Sequence, residues 1–308
     1  MDLYCFSAPC QPFSKSGTQR GTDDPVNGEL TLAALAYIVS ETPDMILLEQ
    51  VPEVKSAKHK EIYNVIMDTL RQCGYKFTEI IAQSEDFGVP QRRARLYIGG
   101  TLRQAPAFQL PPRRETSLSM IITPMQGSNF NMLPGKDSTK RARTVVEKQV
   151  EKFVKTGTNI FEVPILVNAG ASHKFAHSSA GIAMTVKEKH KNKKTKQTTT
   201  KQTQQKHNKG IAMTVTKSDA SKRMYWCSTK GGYLDADETA LLQGIPKDLI
   251  PWRELGISEN MYCGMVGNAM TLPVVVCFIP ALLEAAGKVT PAEIRELYKR
   301  AFMFMPVK

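Results

Sequence analysis

The apolar positions of this chain form short runs and helical stripes that alternate over its first hundred residues. Leu3-Tyr4-Cys5-Phe6 is an apolar run of strand length. Residues 30 to 40, LTLAALAYIVS, predict a helix, and DMILLEQV at 44 to 51, bounded by Pro43 and Pro52, predicts a buried strand. In KEIYNVIMDTLRQCG, Ile62, Ile66 and Leu70 recur every four residues beside Tyr63 and Met67, a single helix stripe stopped by Gly74. YKFTEIIA and ARLYIGG follow as strands. This alternation predicts an α/β layer with a mostly parallel sheet over residues 1 to 100.

Beyond Gly100 the pattern breaks down. Residues 101 to 231 are rich in Pro, Thr, Lys and Ser and show few clear periods, which predicts a small, irregular second domain. Regular signals return over 232 to 308. In DADETALLQGIP, Asp235 or Asp237 is placed to cap a short helix. The last helix has a clean start, with Thr290 as cap, Pro291 at the first helical position and Glu293 completing a capping box. GIAMTV occurs at 181 to 186 and again at 210 to 215. The Lys/Thr/Gln-rich stretch between them, 187 to 209, has no apolar residue and cannot pack. It reads as a phosphate-binding tail or as a disordered insertion flanked by a short duplication. The second reading is favoured, because the downstream copy joins smoothly to TKSDASKRMYWCSTKGGYL.

Composition narrows the function classes. The 308 residues carry a formal charge of +12, which points to a polyanionic partner such as nucleic acid. Residues 187 to 209 hold nine lysines and one glutamate, so most of that surplus is local. The six cysteines form no CxxC pattern and carry no metal-ligand spacing. The longest apolar run, Met270 to Leu283, is short for a bilayer span and contains two prolines. The expectation is a soluble, intracellular protein with reduced thiols and no metal or membrane partner.

Four stretches carry candidate chemistry. In SAPCQPFSKSG, Pro9 and Pro12 fix the backbone on both sides of Cys10 at the end of a strand, and a small polar loop follows. An attacking thiol belongs at such a place; a buried structural cysteine is the plain alternative. ILLEQVPEV puts Glu49 at the carboxyl end of a buried strand, where a carboxylate faces the ligand crevice of an open α/β sheet; a solvated loop residue, the usual fate of a lone glutamate, is the plain alternative. DFGVPQRRARLYIGG sets Gln91, Arg93 and Arg95 at alternating positions, so that they share one strand face, which suggests a site or, as the plain alternative, a charged sheet edge. GMVGNAMTLPV places a Gly-Asn turn before an apolar helix.

The order PCQPFS, EQV, GVPQRRAR, LLQGIP, GNAMTLPV resembles the C5-cytosine DNA methyltransferases, in which these look like motifs four, six, eight, nine and ten. The resemblance covers Asp2 to Gly100 and about Gly232 to Leu283; the region between matches the family's target-recognition domain in placement only. It implies a Rossmann-like, S-adenosyl-L-methionine-dependent methyltransferase sheet, with DNA as substrate and the target base flipped out of the stack. On this resemblance Cys10 is the nucleophile that adds to C6 of cytosine, and Glu49 hydrogen-bonds N3 and the exocyclic amine. Arg93, with Arg95 beside it, positions the glutamate and the pyrimidine. Gln11, Ser14 and Ser16 belong to the loop that closes on DNA, with Gln91 a further DNA contact. Asn268 and Ala269 form the cofactor-side turn.

There are departures. Glu49-Gln50-Val51 stands where the family has Glu-Asn-Val, which implies a looser strand end, and Ala8 replaces a common Pro. Only nine residues precede Cys10, so the family's glycine loop and acidic ribose-binding residue have no counterpart. The expectation is an amino-terminally incomplete form with a raw sheet edge, not active as written. The alternatives are a catalytically inactive remnant that binds DNA or a partner, and an RNA cytosine-5 methyltransferase. EQVPEVKSA departs from the Glu-Asn-Val-Lys-Gly-Phe-Glu of the RNA branch, which favours DNA.

Overall fold

The computed structural model describes residues 2–9, 12–13, 20–21, 24, 29–111, 116–124, 140–170, 178–180 and 211–303. The chain divides into two compact units, the first made of Met1–Glu115, Gln243–Pro246 and Asn268–Lys308, the second of Thr116–Leu242 and Lys247–Gly267.

The first unit contains strands β1 (Leu3–Ser7), β2 (Met45–Gln50), β3 (Lys76–Gln83) and β4 (Ala94–Thr101), with helices α1 (Leu30–Glu41), α2 (Lys60–Gln72), α7 (Leu272–Ala285) and α8 (Pro291–Met303). The strand order is β1-β2-β4-β3. The sheet is mixed, which corrects the expectation of a mostly parallel one. β1 and β2 run parallel, but β4 is antiparallel to both β2 and β3. The cause is the link between β3 and β4. It holds only a 3₁₀ turn, Ser84–Phe87, where a parallel return needs a crossover of about a dozen residues or more.

Both faces of the sheet are covered, and alternate strand residues go to opposite sides. Leu48, Leu96 and Ile98 pack against Leu35 and Ile38 of α1 and Ile62, Ile66 and Leu70 of α2. Met45, Leu47 and Tyr97 pack against Val274, Cys277, Phe278 and Leu282 of α7. Leu70 is fully buried, and a side chain of that kind contributes roughly 1.5–3 kcal/mol. Gly74, with φ +82, takes the left-handed conformation that ends α2. Thr290 caps α8 in the expected box: Glu293 N donates to its hydroxyl, and Glu293 Oε2 accepts from Thr290 N.

The second unit is built on an antiparallel sheet of β5 (Ile165–Asn168), β6 (Ser178–Ala180), β7 (Tyr225–Cys227) and β8 (Gly232–Tyr233), in the order β6-β5-β7-β8. Strands of two to four residues are too short to leave a period-two signature in the sequence, so the region reads there as irregular. Its helices are α3 (Lys140–Val154), α4 (Lys217–Ser221), α5 (Ala236–Leu241) and α6 (Glu259–Asn268), the last residue of α6 belonging to the first unit. Ala142, Val145, Val146 and Val150 of α3 pack on Ile165, Val167 and Trp226. Asp235, not Asp237, caps α5, in a reciprocal box with Glu238. Ala212 and Val215, from the second GIAMTV copy, are wholly buried. The first copy and the 187–209 insertion lie outside the described residues.

Candidate active site

Glu49 is the next-to-last residue of β2 and is 5% exposed. Its surroundings follow from the register of the two neighbouring strands. Parallel pairing sets Ser7, the last residue of β1, opposite Glu49, and the Ser7 hydroxyl donates to Glu49 Oε2 at 2.5 Å. On the other side β4 begins where β2 ends. Arg95 Nε stands 3.0 Å from Glu49 Oε1, and Arg93 Nη2 stands 3.9 Å from the same oxygen. Arg93 Nη2 also donates to the carbonyl of Ala269 at 3.0 Å, and Arg95 Nη1 to that of Ala94 at 2.7 Å. Both arginines are buried.

The electrostatics are those of a dry cluster with two cations and one anion. Such a group loses hydration on burial and depends on its internal pairing. The surplus positive charge favours an approaching anion, a thiolate included. Burial pushes the phenol of Tyr97, paired with Glu49 across β2 and β4, well above its ordinary range; the Glu49 charge adds to the shift, and Arg93 and Arg95 oppose it. One acceptor is incomplete. Glu49 Oε1 is buried and accepts no hydrogen bond, its two arginine contacts being ion pairs only. A ligand N–H reaching Oε1 would complete its hydrogen bonding. An apolar cleft lined by Phe6, Ala8, Leu35, Leu48 and Ile98 reaches Glu49 and Gln50 at the strand ends.

The structure thus brings Glu49, Arg93 and Arg95 together. Gln91 is completely buried, so it is not on an open face. Gln50, at the place of the family's Asn, accepts on Oε1 from the following amide, Val51 N, at 2.8 Å. Cys10, Gln11, Ser14 and Ser16 lie outside the described residues. On their two sides Ala8 and Phe13 are buried, Phe13 edge-on to His59 with ring centres 5.3 Å apart. Asn268 is exposed at the end of α6, and Ala269 is half-buried with its carbonyl bound to Arg93. Two contributors were missed by sequence reasoning, Ser7 and the Ala269 carbonyl. The only signal for Ser7 was its place at the end of a strand that proves to be Glu49's parallel neighbour.

A family model described as C-5 cytosine-specific DNA methylase matches residues 1–283. The type II methyltransferase M.MspI of Moraxella sp is 32% identical over 110 residues, which are 36% of this chain and 26% of that protein. M.HhaI of Haemophilus parahaemolyticus is 25% identical over 189 residues, 60% of this chain and 55% of that protein. The chain therefore spans only part of the length of the curated relatives it matches. In three dimensions it is similar to the crystal structure of the S. pombe Dnmt2 methyltransferase, with a TM-score of 0.51 at 17% identity, covering 92% of this chain and 77% of the other. At that identity the likeness is one of fold.

Proposed function

We propose that this chain, which belongs to the C-5 cytosine-specific DNA methylase family, carries the base-attacking chemistry of cytosine-C5 methyl transfer on DNA. Its fold is that of the S-adenosylmethionine-dependent methyltransferases. The observation that carries the proposal is the buried, unfilled acceptor Glu49 Oε1, held in place by Ser7, Arg93 and Arg95.

Cys10 is the nucleophile. Its thiolate adds to C6 of the flipped cytosine, the C5–C6 double bond opens, and the electron pair moves onto C5. Glu49 meets the N3 and exocyclic amine edge of the ring, and Oε1 takes the amine hydrogen that it lacks. Glu49 enters the step protonated on Oε2 and passes that proton to N3 as sulfur attacks, which neutralises the developing charge; the proton returns to the carboxylate when the C6–S bond breaks. Arg95 and Arg93 hold the carboxyl at one angle, so the contact is present before the base arrives. After C5 is alkylated, water removes its proton and the C6–S bond breaks, which restores the thiolate. When bound, S-adenosyl-L-methionine supplies the electrophilic methyl group. The exposed Asn268 amide, both donor and acceptor, fits either charge of that cofactor's amino-acid end, with Ala269 beside it.

The addition step is testable without a methyl donor. Once sulfur is on C6, C5 exchanges its hydrogen with water, so duplex DNA carrying tritium at cytosine C5 should release it into solvent. Cys10→Ser should abolish release, and Glu49→Gln should slow it by at least the roughly 10²-fold typical of a lost proton-transfer or charge-stabilising group. No release by the parent chain, or undiminished release by Cys10→Ser, overturns the proposal.

A further inference from the structure

α3 segregates charge as sharply as it segregates polarity. Its apolar side, Ala142, Val145, Val146 and Val150, is buried in the second unit. On the exposed side, Arg141, Lys148 and Lys152, with Lys155 one residue past the helix, fall within about 60° of each other at 3.6 residues per turn. The two glutamates of the helix are paired with Arg143 and with Lys155 at the end of the stripe: Arg143 Nε lies 3.2 Å from Glu147, and Lys155 Nζ lies 3.6 Å from Glu151. Among the described residues, no carboxylate stands within ion-pair distance of Arg141, Lys148 or Lys152.

The charge of the whole chain makes this stripe distinctive. Residues 187–209 carry a surplus of eight positive charges, and residues 140–155, with six cations and two acids, carry a surplus of four. Together these account for all of the net +12, so the rest of the chain is electrically balanced. The basic character of the protein is therefore focal, and its only described focus is α3.

We infer that the exposed face of α3 is a docking surface for the sugar-phosphate backbone of a duplex nucleic acid. Three cations spread over about 16 Å of helix axis, at a rise of 1.5 Å per residue, cannot converge on one small anion. They complement a partner whose charges are regularly spaced, as phosphates are at about 3.4 Å of axis per strand. A lipid surface fits poorly, because an interfacial helix inserts its apolar side and that side of α3 is committed to the core around Trp226. The interaction positions the nucleic acid without reading its sequence. The inference rests on the proposed nucleic-acid substrate but adds a site remote in sequence from Cys10, Glu49 and the arginines.

The test is binding of labelled duplex DNA by the full chain, followed by anisotropy from 50 to 200 mM salt. In Arg141→Gln/Lys148→Gln/Lys152→Gln, the slope of log K against log salt should be less steep by about 2.7, or 0.9 for each phosphate no longer neutralised. Parent and variant affinities should then converge by about 40-fold over that range. Arg141→Lys/Lys148→Arg/Lys152→Arg should keep the parent slope. Far-ultraviolet circular dichroism establishes that each variant is folded. As a control for overall charge, Arg295→Gln/Lys299→Gln/Arg300→Gln on α8 should leave the slope unaltered. An unchanged slope in the α3 variant, or equal flattening in the α8 control, overturns the inference. So does binding of polyglutamate but not DNA through the stripe, which would assign it to an acidic protein. Tritium release separates the two ideas: release with an unchanged slope removes the α3 site and leaves the proposed function, while a flattened slope without release does the reverse.

Discussion

Replacing Arg95 by methionine, which keeps most of the side-chain volume, isolates the charge that holds Glu49. At 3.0 Å and an effective dielectric of about 20, the attraction is about 5.5 kcal/mol; Arg93, at 3.9 Å, supplies about 4 kcal/mol in the same terms. Desolvation offsets much of both. Breaking one partner out of a buried pair costs about 3–5 kcal/mol, and with Arg93 still in reach the lower end is expected. In a urea titration with a slope of about 1–3 kcal/mol per molar, a loss of 3 kcal/mol lowers the midpoint by about 1–3 M. Circular dichroism at 222 nm is the appropriate signal, because Trp226 and Trp252 both lie in the other unit. Glu49→Gln removes the charge that Arg95 balances. The double variant Glu49→Gln/Arg95→Met should therefore be more stable than the sum of the single losses by about 2 kcal/mol, within the usual range for adjacent residues. A loss below about 1 kcal/mol for Arg95→Met, the level of an exposed ion pair, would refute the reading of a desolvated cluster. So would strict additivity in the double variant.

Two further outcomes follow from the same structure. In the second unit, burial works against ionisation of Asp235, but the Glu238 amide and the Lys230 ammonium outweigh it and hold the carboxyl below its ordinary range. A depressed folded-state pKa gives stability that is present above about pH 4 and is lost as pH falls through the folded value. Urea unfolding followed by tryptophan fluorescence should show that loss, and Asp235→Asn should flatten it; an unchanged acid limb would show that the group does not contribute. Gly244 has φ +70, and a Cβ there would lie 2.4 Å from Pro273 Cδ, so Gly244→Ala should cost at least about 2 kcal/mol in a circular dichroism melt, and a neutral result would contradict the packing of α7.

Much of the first unit was legible because its signals are strong and local. The Ile62-Ile66-Leu70 stripe, the run before Gln50 and the Thr290-Glu293 box each contain the whole of their own physical cause. Glu49 was legible through its place in the ordered set of family motifs, since a lone glutamate at a strand end is ordinarily solvated. Strand direction was not, because a hydrophobic run reads the same in either orientation. Ser7 escaped notice because its partner is 42 residues away and is fixed only by the parallel register of β1 and β2. Gln91 misled for the opposite reason. Alternation puts it in phase with Arg93 and Arg95, but a shared strand face need not be an open one, and all three side chains are buried.

The direction of β4 is also what makes the site possible. A carboxylate at the end of β2 can be served by a parallel neighbour only with that neighbour's own last residues. β1 does this: it ends in Ser7, three residues before Cys10 in the sequence. A strand on the other side must run the opposite way if its first residues are to arrive at the same end. With β4 reversed, Arg95 would be carried towards the Met45 end of β2, about 13 Å from Glu49 at 3.3 Å per residue, well outside ion-pair range. The short link from β3 to β4 that forbids a parallel crossover is therefore the feature that delivers both guanidiniums to Glu49 Oε1. Lengthening that link would threaten the site before it threatened the core, because the apolar positions of β4 are buried in either direction while its arginines reach Glu49 in only one.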